Sequence, residues 1–171
     1  MLIRPARVDE AVLLSSIAFE SKSLWGYGRA QLEQWRADLT VSGEQIAACP
    51  TWVAEAEGRI AGFCMLAPAL PHWQLEHLWV RPECAGAGVG RILLGKAASL
   101  AASSEAASLA ASSEAARLAI DADPNAEAFY IACGATRIGA VAAPIEGAPE
   151  RFRPQLLLAL ALFDSPPGSA T

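Results

Sequence analysis

Three glycines at alternate positions, Gly86, Gly88 and Gly90, stand in the run Val80-Arg81-Pro82-Glu83-Cys84-Ala85-Gly86-Ala87-Gly88-Val89-Gly90-Arg91 of this 171-residue chain. The run follows a strand-like stretch and opens a helix-like one. A turn of this kind lets bare backbone approach a ligand, with unpaired N–H groups pointing toward it. The helix dipole adds about half a positive charge at that end, so the chemistry the run suits is the holding of phosphate. A turn of small residues packed for structural reasons is the plainer reading. A dinucleotide site wants Gly-x-Gly-x-x-Gly near the first strand and an acidic residue after the second. The mid-chain Gly-x-Gly-x-Gly spacing here departs from that pattern.

Other reactive side chains are sparse. Cys49, Cys64, Cys84 and Cys133 stand far apart, and the histidines are His72 and His77. Neither disulfides nor a metal site follow from that spacing, so the thiols read as buried or unremarkable and no metal is expected. The net charge is −5 without a Lys/Arg stripe, which argues against nucleic-acid binding. No run reaches the ~18–20 apolar residues that span a bilayer. The opening Met1-Leu2-Ile3-Arg4-Pro5 lacks the pattern of a signal peptide, so a cytoplasmic protein with no membrane association is expected. Trp25 and Tyr27, with Trp35 nearby, suit either a pocket for an apolar or cationic amine or an ordinary core.

The length suits one domain with a substantial core, expected over residues 1–163 with a disordered tail at 164–171. Leu2 to Arg4 reads as a strand, followed by a helix capped by Asp9 with Val12, Leu13, Ile17 and Ala18 at helical spacing. Helices are expected over Ala30 to Leu39 and from Ser42, where Ser-x-x-Gln is a capping-box pattern. Thr51 to Ala56 and Ile60 to Ala67 flank Glu57-Gly58-Arg59 as a hairpin. Gln74 to Val80 is the strand leading into the glycine run. A long alanine-rich helix follows, then a strand at Leu118 to Ala122. A helix begins at Pro124-Asn125 and ends at Gly134, and the last strands lie near Thr136 to Val141 and Gln155 to Phe163. This order predicts an α/β (α+β) fold, a mixed sheet with helices on both faces.

Ser99 to Ala107 reads SLAASSEAA, and Ser108 to Ala116 repeats it without change. One extra copy is too short for a solenoid. Nine residues at ~100° each add about two and a half turns, so a continuous helix would end facing the wrong way. One copy is expected to complete the helix while the other loops out, as a slip duplication without function.

The chain resembles the GNAT superfamily of acetyl-CoA-dependent N-acetyltransferases. Leu78-Trp79-Val80-Arg81-Pro82 through Gly90-Arg91-Ile92-Leu93-Leu94 is similar to the family's coenzyme-A motif. Asp121-Ala122-Asp123-Pro124-Asn125 through Phe129-Tyr130, then Cys133-Gly134-Ala135, is similar to its next strand and helix. The order of elements from Ile3 to Phe163 is also similar. The resemblance implies a mostly antiparallel sheet of six to seven strands flanked by about four helices. It also implies acetyl-CoA as cosubstrate, on the segment Leu78, Trp79 and Val80, on Gly86, Ala87, Gly88, Val89, Gly90 and Arg91, and beside Asn125. Leu78 and Val80 would pair with the pantetheine arm as if it were an added strand, and Tyr130 would face the thioester sulfur. Ala85 stands where the family usually has Arg or Gln; Arg81 and Arg91 are the residues available to compensate.

The implied reaction is acetyl transfer to the primary amine of a small molecule or peptide. Deprotonating such an amine, pKa ~10.4, costs roughly 4–5 kcal/mol at neutral pH. Glu76 is the candidate base. Alternation places it on the face of Leu78 and Val80 unless a bulge intervenes, with His77 opposite and second in rank. A strand N–H near Val80 suits the developing oxyanion, and Tyr130 the leaving thiolate. The plainer readings are a solvated Glu76 and a core Tyr130. Trp25 and Tyr27 are the acceptor-side candidates. A non-catalytic coenzyme-A-binding regulatory module and a longer-chain acyltransferase are the alternatives, and a homodimer is compatible with exposed strand edges.

Overall fold

A computed structural model describes residues 1–69, 72–103 and 117–160. Seven strands form one sheet: β1 Leu2–Pro5, β2 Thr51–Ala56, β3 Arg59–Pro68, β4 Trp73–Val80, β5 Arg117–Asp121, β6 Thr136–Ala142 and β7 Phe152–Ala159. Their order is β1-β2-β3-β4-β5-β7-β6. Neighbours run antiparallel except β4 and β5, which pair in parallel over Trp73–Leu75 against Leu118–Ile120. The helices are α1 Ala11–Ser23, α2 Arg29–Gln34, α3 Gly43–Ala48, α4 Val89–Ser103 and α5 Glu127–Ala132. Sheet, strand count and mixed character agree with the expectation from sequence. Among the described residues no helix is long and apolar enough to cross a membrane.

Strand alternation divides the core into two layers. Cys64 and Leu66 of β3 join Leu93, Leu94 and Ala97 of α4 and Tyr130 of α5 on one face. Phe63 and Met65 join Leu14, Ile17 and Ala18 of α1 on the other. Helix α1 corrects the expected phase, because Leu14, Ile17, Ala18 and Lys22 are inside while Val12 is 83 % exposed and Leu13 is also exposed. Three adjacent apolar residues, Val12 to Leu14, left the phase open, and packing on β3 selected Leu14. The cap is corrected too. No Asp9 side-chain cap forms; Glu10 instead accepts the Arg7 N–H at 2.8 Å and is gripped by Arg4.

Local signals elsewhere act as their chemistry requires. Glu57 and Gly58 both take positive φ, 52° and 75°, in the two-residue turn between β2 and β3, the backbone that matches strand twist. Ser42 and Gln45 cap α3 reciprocally at 3.1 and 2.8 Å. At the end of α5, Gly134 has φ 94°. There Ala135 N–H bonds Tyr130 C=O and Gly134 N–H bonds Ile131 C=O, the pairing that closes a helix on a left-handed glycine. The expected path of the duplicated segment and the expected tail at 164–171 fall outside the described residues beyond 103 and 160.

Candidate active site

The glycine run divides its labour. Residues Pro82–Cys84 form a single 3₁₀ turn after β4. Gly86 and Gly88 follow with φ 77° and 81°, and a Cβ at either would meet nothing within 4 Å. They are required by backbone conformation and face open space. Gly90 serves packing, since a Cβ there would lie 3.2 Å from Phe129 Cζ. The first i→i−4 bond runs from Ile92 N–H to Gly88 C=O. The N–H groups of Val89, Gly90 and Arg91 therefore precede the helical ladder, as phosphate binding at a helix start needs.

Beside this turn, β4 parts from β5. Parallel pairing stops at Leu75 and Ile120, so Leu78 and Val80 keep β3 on one side with no described strand on the other. Arg81 N–H bonds Ala61 C=O on the β3 side. Alternation then turns the backbone groups of Trp79 toward β3 and those of Leu78 and Val80 toward the open edge. The tight approach of the Trp79 carbonyl to Gly62 of β3 agrees with this. Of the three residues Leu78, Trp79 and Val80, two thus present backbone and Trp79 contributes its ring.

The edge, the glycine turn and α5 enclose a cleft of about 460 Å³. Leu78, Val80, Gly86, Gly88, Val89, Gly90, Arg91, Asn125 and Tyr130 line it, as do Glu76, Trp25, Trp79 and Ala85. Ala87 and Tyr27 are not among the lining residues. Arg91 is at the cleft, exposed, with Nη2 3.3 Å from the Ala132 carbonyl oxygen. Arg81 is not; its Nε donates to Ile60 C=O at 2.7 Å and its Nη1 pairs with Glu20. Of the two arginines expected to offset Ala85, Arg91 is the one that lines the cleft.

A bulge sets Glu76. Met65 pairs with His77 and Leu66 with Leu75, so Glu76 has no partner on β3. Simple alternation, the basis of the expected facing, is broken at this residue. The bulge leaves Glu76 exposed while it lines the same cleft as Leu78 and Val80. His77 takes the other face, buried against Phe63, with Nδ1 accepting from Trp79 Nε1–H at 3.1 Å. Burial lowers its pKa to about 4, and it is not a cleft residue. Tyr130 is 7 % exposed and edge-on to Phe129 at 5.1 Å. Burial, with Cys133 and Cys64 adding to it, pushes its phenol upward, so the hydroxyl keeps its proton.

The aromatics expected on the acceptor side enclose a cation of the chain itself. Lys22 Nζ lies 4.6 Å from the Trp35 ring centroid, 4.9 Å from Trp25, 5.2 Å from Tyr27 and 6.0 Å from Trp79. Its ammonium pairs with Asp123, which also binds Arg151. Burial lowers the Lys22 pKa against the pull of Asp123. For Asp123 burial acts upward, but Lys22, the Asn125 N–H and Tyr27 outweigh it and hold the carboxyl below its usual value. Sequence reasoning missed this cluster. Tyr27 and Trp35 belong to its wall rather than to the cleft, and Trp25 serves both.

A free strand edge beside an N–H-rich turn fits an extended thiol-bearing arm that ends in a diphosphate, which is coenzyme A in outline. The comparisons with known proteins agree. The acetyltransferase (GNAT) domain family matches residues 47–134, just over half of the chain. The chain belongs to the GNAT family of acetyltransferases. No curated protein matches its sequence. Among solved structures, it is similar to a GCN5-related N-acetyltransferase from Rhodopseudomonas palustris. That match has a TM-score of 0.71 and 22 % identity, over 92 % of this chain and 94 % of that one. The PaiA N-acetyltransferase from Thermoplasma acidophilum, in complex with coenzyme A, gives 0.68 and 18 %, over 92 % and 98 %. An aminoglycoside 6′-N-acetyltransferase complexed with coenzyme A gives 0.61 and 14 %, over 94 % and 97 %.

Proposed function

We propose that this acetyltransferase moves the acetyl group of acetyl-CoA onto the primary amine of a small molecule or peptide by direct attack on the thioester. The observation that carries the reading is the position of Glu76. Its bulge brings a carboxylate into the cleft that the free edge of Leu78 and Val80 and the turn at Gly86–Arg91 share. Acetyl-CoA supplies the activated acyl group. The open-edge backbone of Leu78 and Val80 orients its arm, and the N–H groups of Val89, Gly90 and Arg91 hold its diphosphate.

Glu76 takes the proton that the amine loses as its nitrogen bonds the acyl carbon, directly or through a water. The Val80 N–H, turned to the open edge, meets the charge growing on the acyl oxygen. Tyr130 holds its hydroxyl toward the departing sulfur. Its raised pKa makes early transfer of that proton unfavourable, so it acts first as a hydrogen-bond donor. Trp25 and Trp79 form the apolar wall on the acceptor side. Because Lys22 already fills the aromatic box behind them, the acceptor's ammonium is met by Glu76 rather than by those rings.

The experiment is calorimetry with millimolar acetyl-CoA on folded protein, followed by thiol-release assays with aminoglycosides, polyamines and N-terminal peptides. Binding together with amine-dependent thiol release is the expected result. Absence of both heat and thermal protection would overturn the reading.

A further inference from the structure

The Asp123 carboxylate, 4 % exposed in its side chain, accepts more hydrogen bonds than any simple ion pair needs. Its Oδ1 receives the Asn125 N–H and Asn125 Nδ2, both at 2.9 Å, and its Oδ2 receives Lys22 Nζ and Arg151 Nη2. Tyr27 Oη stands 2.9 Å from both oxygens. A carboxylate offers about four lone-pair sites, and these five donors more than occupy them, with Tyr27 shared between both oxygens. Three separate parts of the chain converge there: the end of α1 with the loop after it, the β5–α5 connection, and the segment before β7.

Shape alone does not tell the two ends of an asparagine amide apart, but its neighbours do. Asn125 Nδ2 lies 2.9 Å from Asp123 Oδ1 and 3.1 Å from Tyr27 Oη. A carbonyl in that place would face a carboxylate. The amide nitrogen is therefore turned inward, and the carbonyl end of this exposed, cleft-lining residue is left for the cleft.

We infer that Asp123 is a positioning residue: with Tyr27 it fixes Asn125 so that the side-chain carbonyl accepts an N–H of the coenzyme's amide-bearing arm. The inference rests on the proposed use of acetyl-CoA. Neither Asp123 nor Tyr27 touches the reacting atoms in this account, and both act through Asn125.

The test uses the full chain and acetyl-CoA alone, without an acceptor. Tyr27→Phe removes the hydroxyl while keeping the ring, which packs edge-on against Trp35 at 4.8 Å. Its dissociation constant for acetyl-CoA should rise roughly threefold to tenfold, the effect of one lost hydrogen bond. Asn125→Ala should weaken binding similarly. In the double variant the losses should not add, because Tyr27 acts only through Asn125. Asp123→Asn is a poorer probe, since it strips Lys22 and Arg151 of their counter-ion and endangers folding. A Tyr27→Phe protein that melts lower but binds acetyl-CoA as tightly as the parent overturns the inference, and so do additive losses. If the parent protein binds no acetyl-CoA, the proposed function fails first and takes this inference with it.

Discussion

His77 offers the sharpest quantitative test of how the two faces of β4 are divided. Its imidazole is 6 % exposed, packs against Phe63 and receives the Trp79 indole N–H on Nδ1, so Nε2 carries the single proton. Burial lowers its pKa from 6.5 to about 4. The sign follows from which state binds protons. Between those values the unfolded chain takes up a proton that the folded chain refuses, so stability is full above pH 6.5 and declines as pH falls toward 4. A gap of about 2.5 units corresponds to about 3 kcal/mol in total, of which about 2 kcal/mol is lost by pH 5. That is a sizeable part of the ~5–15 kcal/mol typical of a domain. Asp123 and Glu10, both held below ordinary carboxylate values, lose their contribution mainly at pH below about 4.5. They leave the window from 7.5 to 5 largely to His77. Urea denaturation at pH 7.5 and pH 5 measures the difference. His77→Gln keeps an acceptor for the indole but removes the titration, so its two stabilities should agree within about 0.5 kcal/mol. An equal loss in parent and variant would refute the burial argument.

Three further outcomes follow from the same geometry. Glu76→Gln should lower kcat/KM at neutral pH by about 10²–10⁴ with acetyl-CoA affinity unchanged. The deficit should shrink as pH rises toward the amine's own pKa, where free amine no longer needs a base; a deficit independent of pH would exclude Glu76 as that base. Tyr130→Phe should reduce kcat about 10- to 100-fold, the worth of a hydrogen bond to a charged group, while calorimetry shows little change in acetyl-CoA binding; unchanged turnover removes the phenol from the reaction. Gly62→Ala would place a Cβ 2.6 Å from the Trp79 carbonyl oxygen and 3.2 Å from Val80 Cα. It should cost about 1–3 kcal/mol as β3 is forced away from β4, a melting shift of about 2–4 °C per kcal/mol, and a variant as stable as the parent would contradict the close strand approach.

Much of the fold was legible because its signals are local. Glu57-Gly58 marks a turn with two positive φ values, Ser42 and Gln45 cap each other, and Gly134 closes α5. Each is a preference of a few neighbouring residues that the tertiary structure then had no reason to override. The glycine run was legible for the same reason, although its sequence did not separate Gly86 and Gly88, which bend the backbone, from Gly90, which admits Phe129. Phase and register were harder. Val12, Leu13 and Leu14 are equally apolar, and contact with β3 decides which enters the core. The bulge at Glu76 is likewise set by pairing with Met65 and Leu66 of another strand, and no period of two in the β4 sequence announces it.

The Lys22–Asp123–Arg151 cluster was not legible for a stronger reason. Its members are 101 and 28 residues apart, and each alone looks like an ordinary charge near a helix end or in a loop. What makes them exceptional is burial, to 11 %, 4 % and 8 % side-chain exposure, which only closure of α1, the β5–α5 connection and the loop before β7 creates. Two cations on one carboxylate are tolerable there because aromatic faces solvate Lys22 and Arg151 and because Tyr27 and Asn125 complete the hydrogen bonding of the carboxylate, while Arg151 Nε is left buried without a partner among the described residues. The same aromatics that suggested a cationic acceptor from sequence are thus occupied from within. Glu76 is the carboxylate exposed on the β4 edge of the cleft, which Asp121 and Arg91 also line, and in the proposed reaction selection of the acceptor is assigned to the apolar wall of Trp25 and Trp79 together with Glu76.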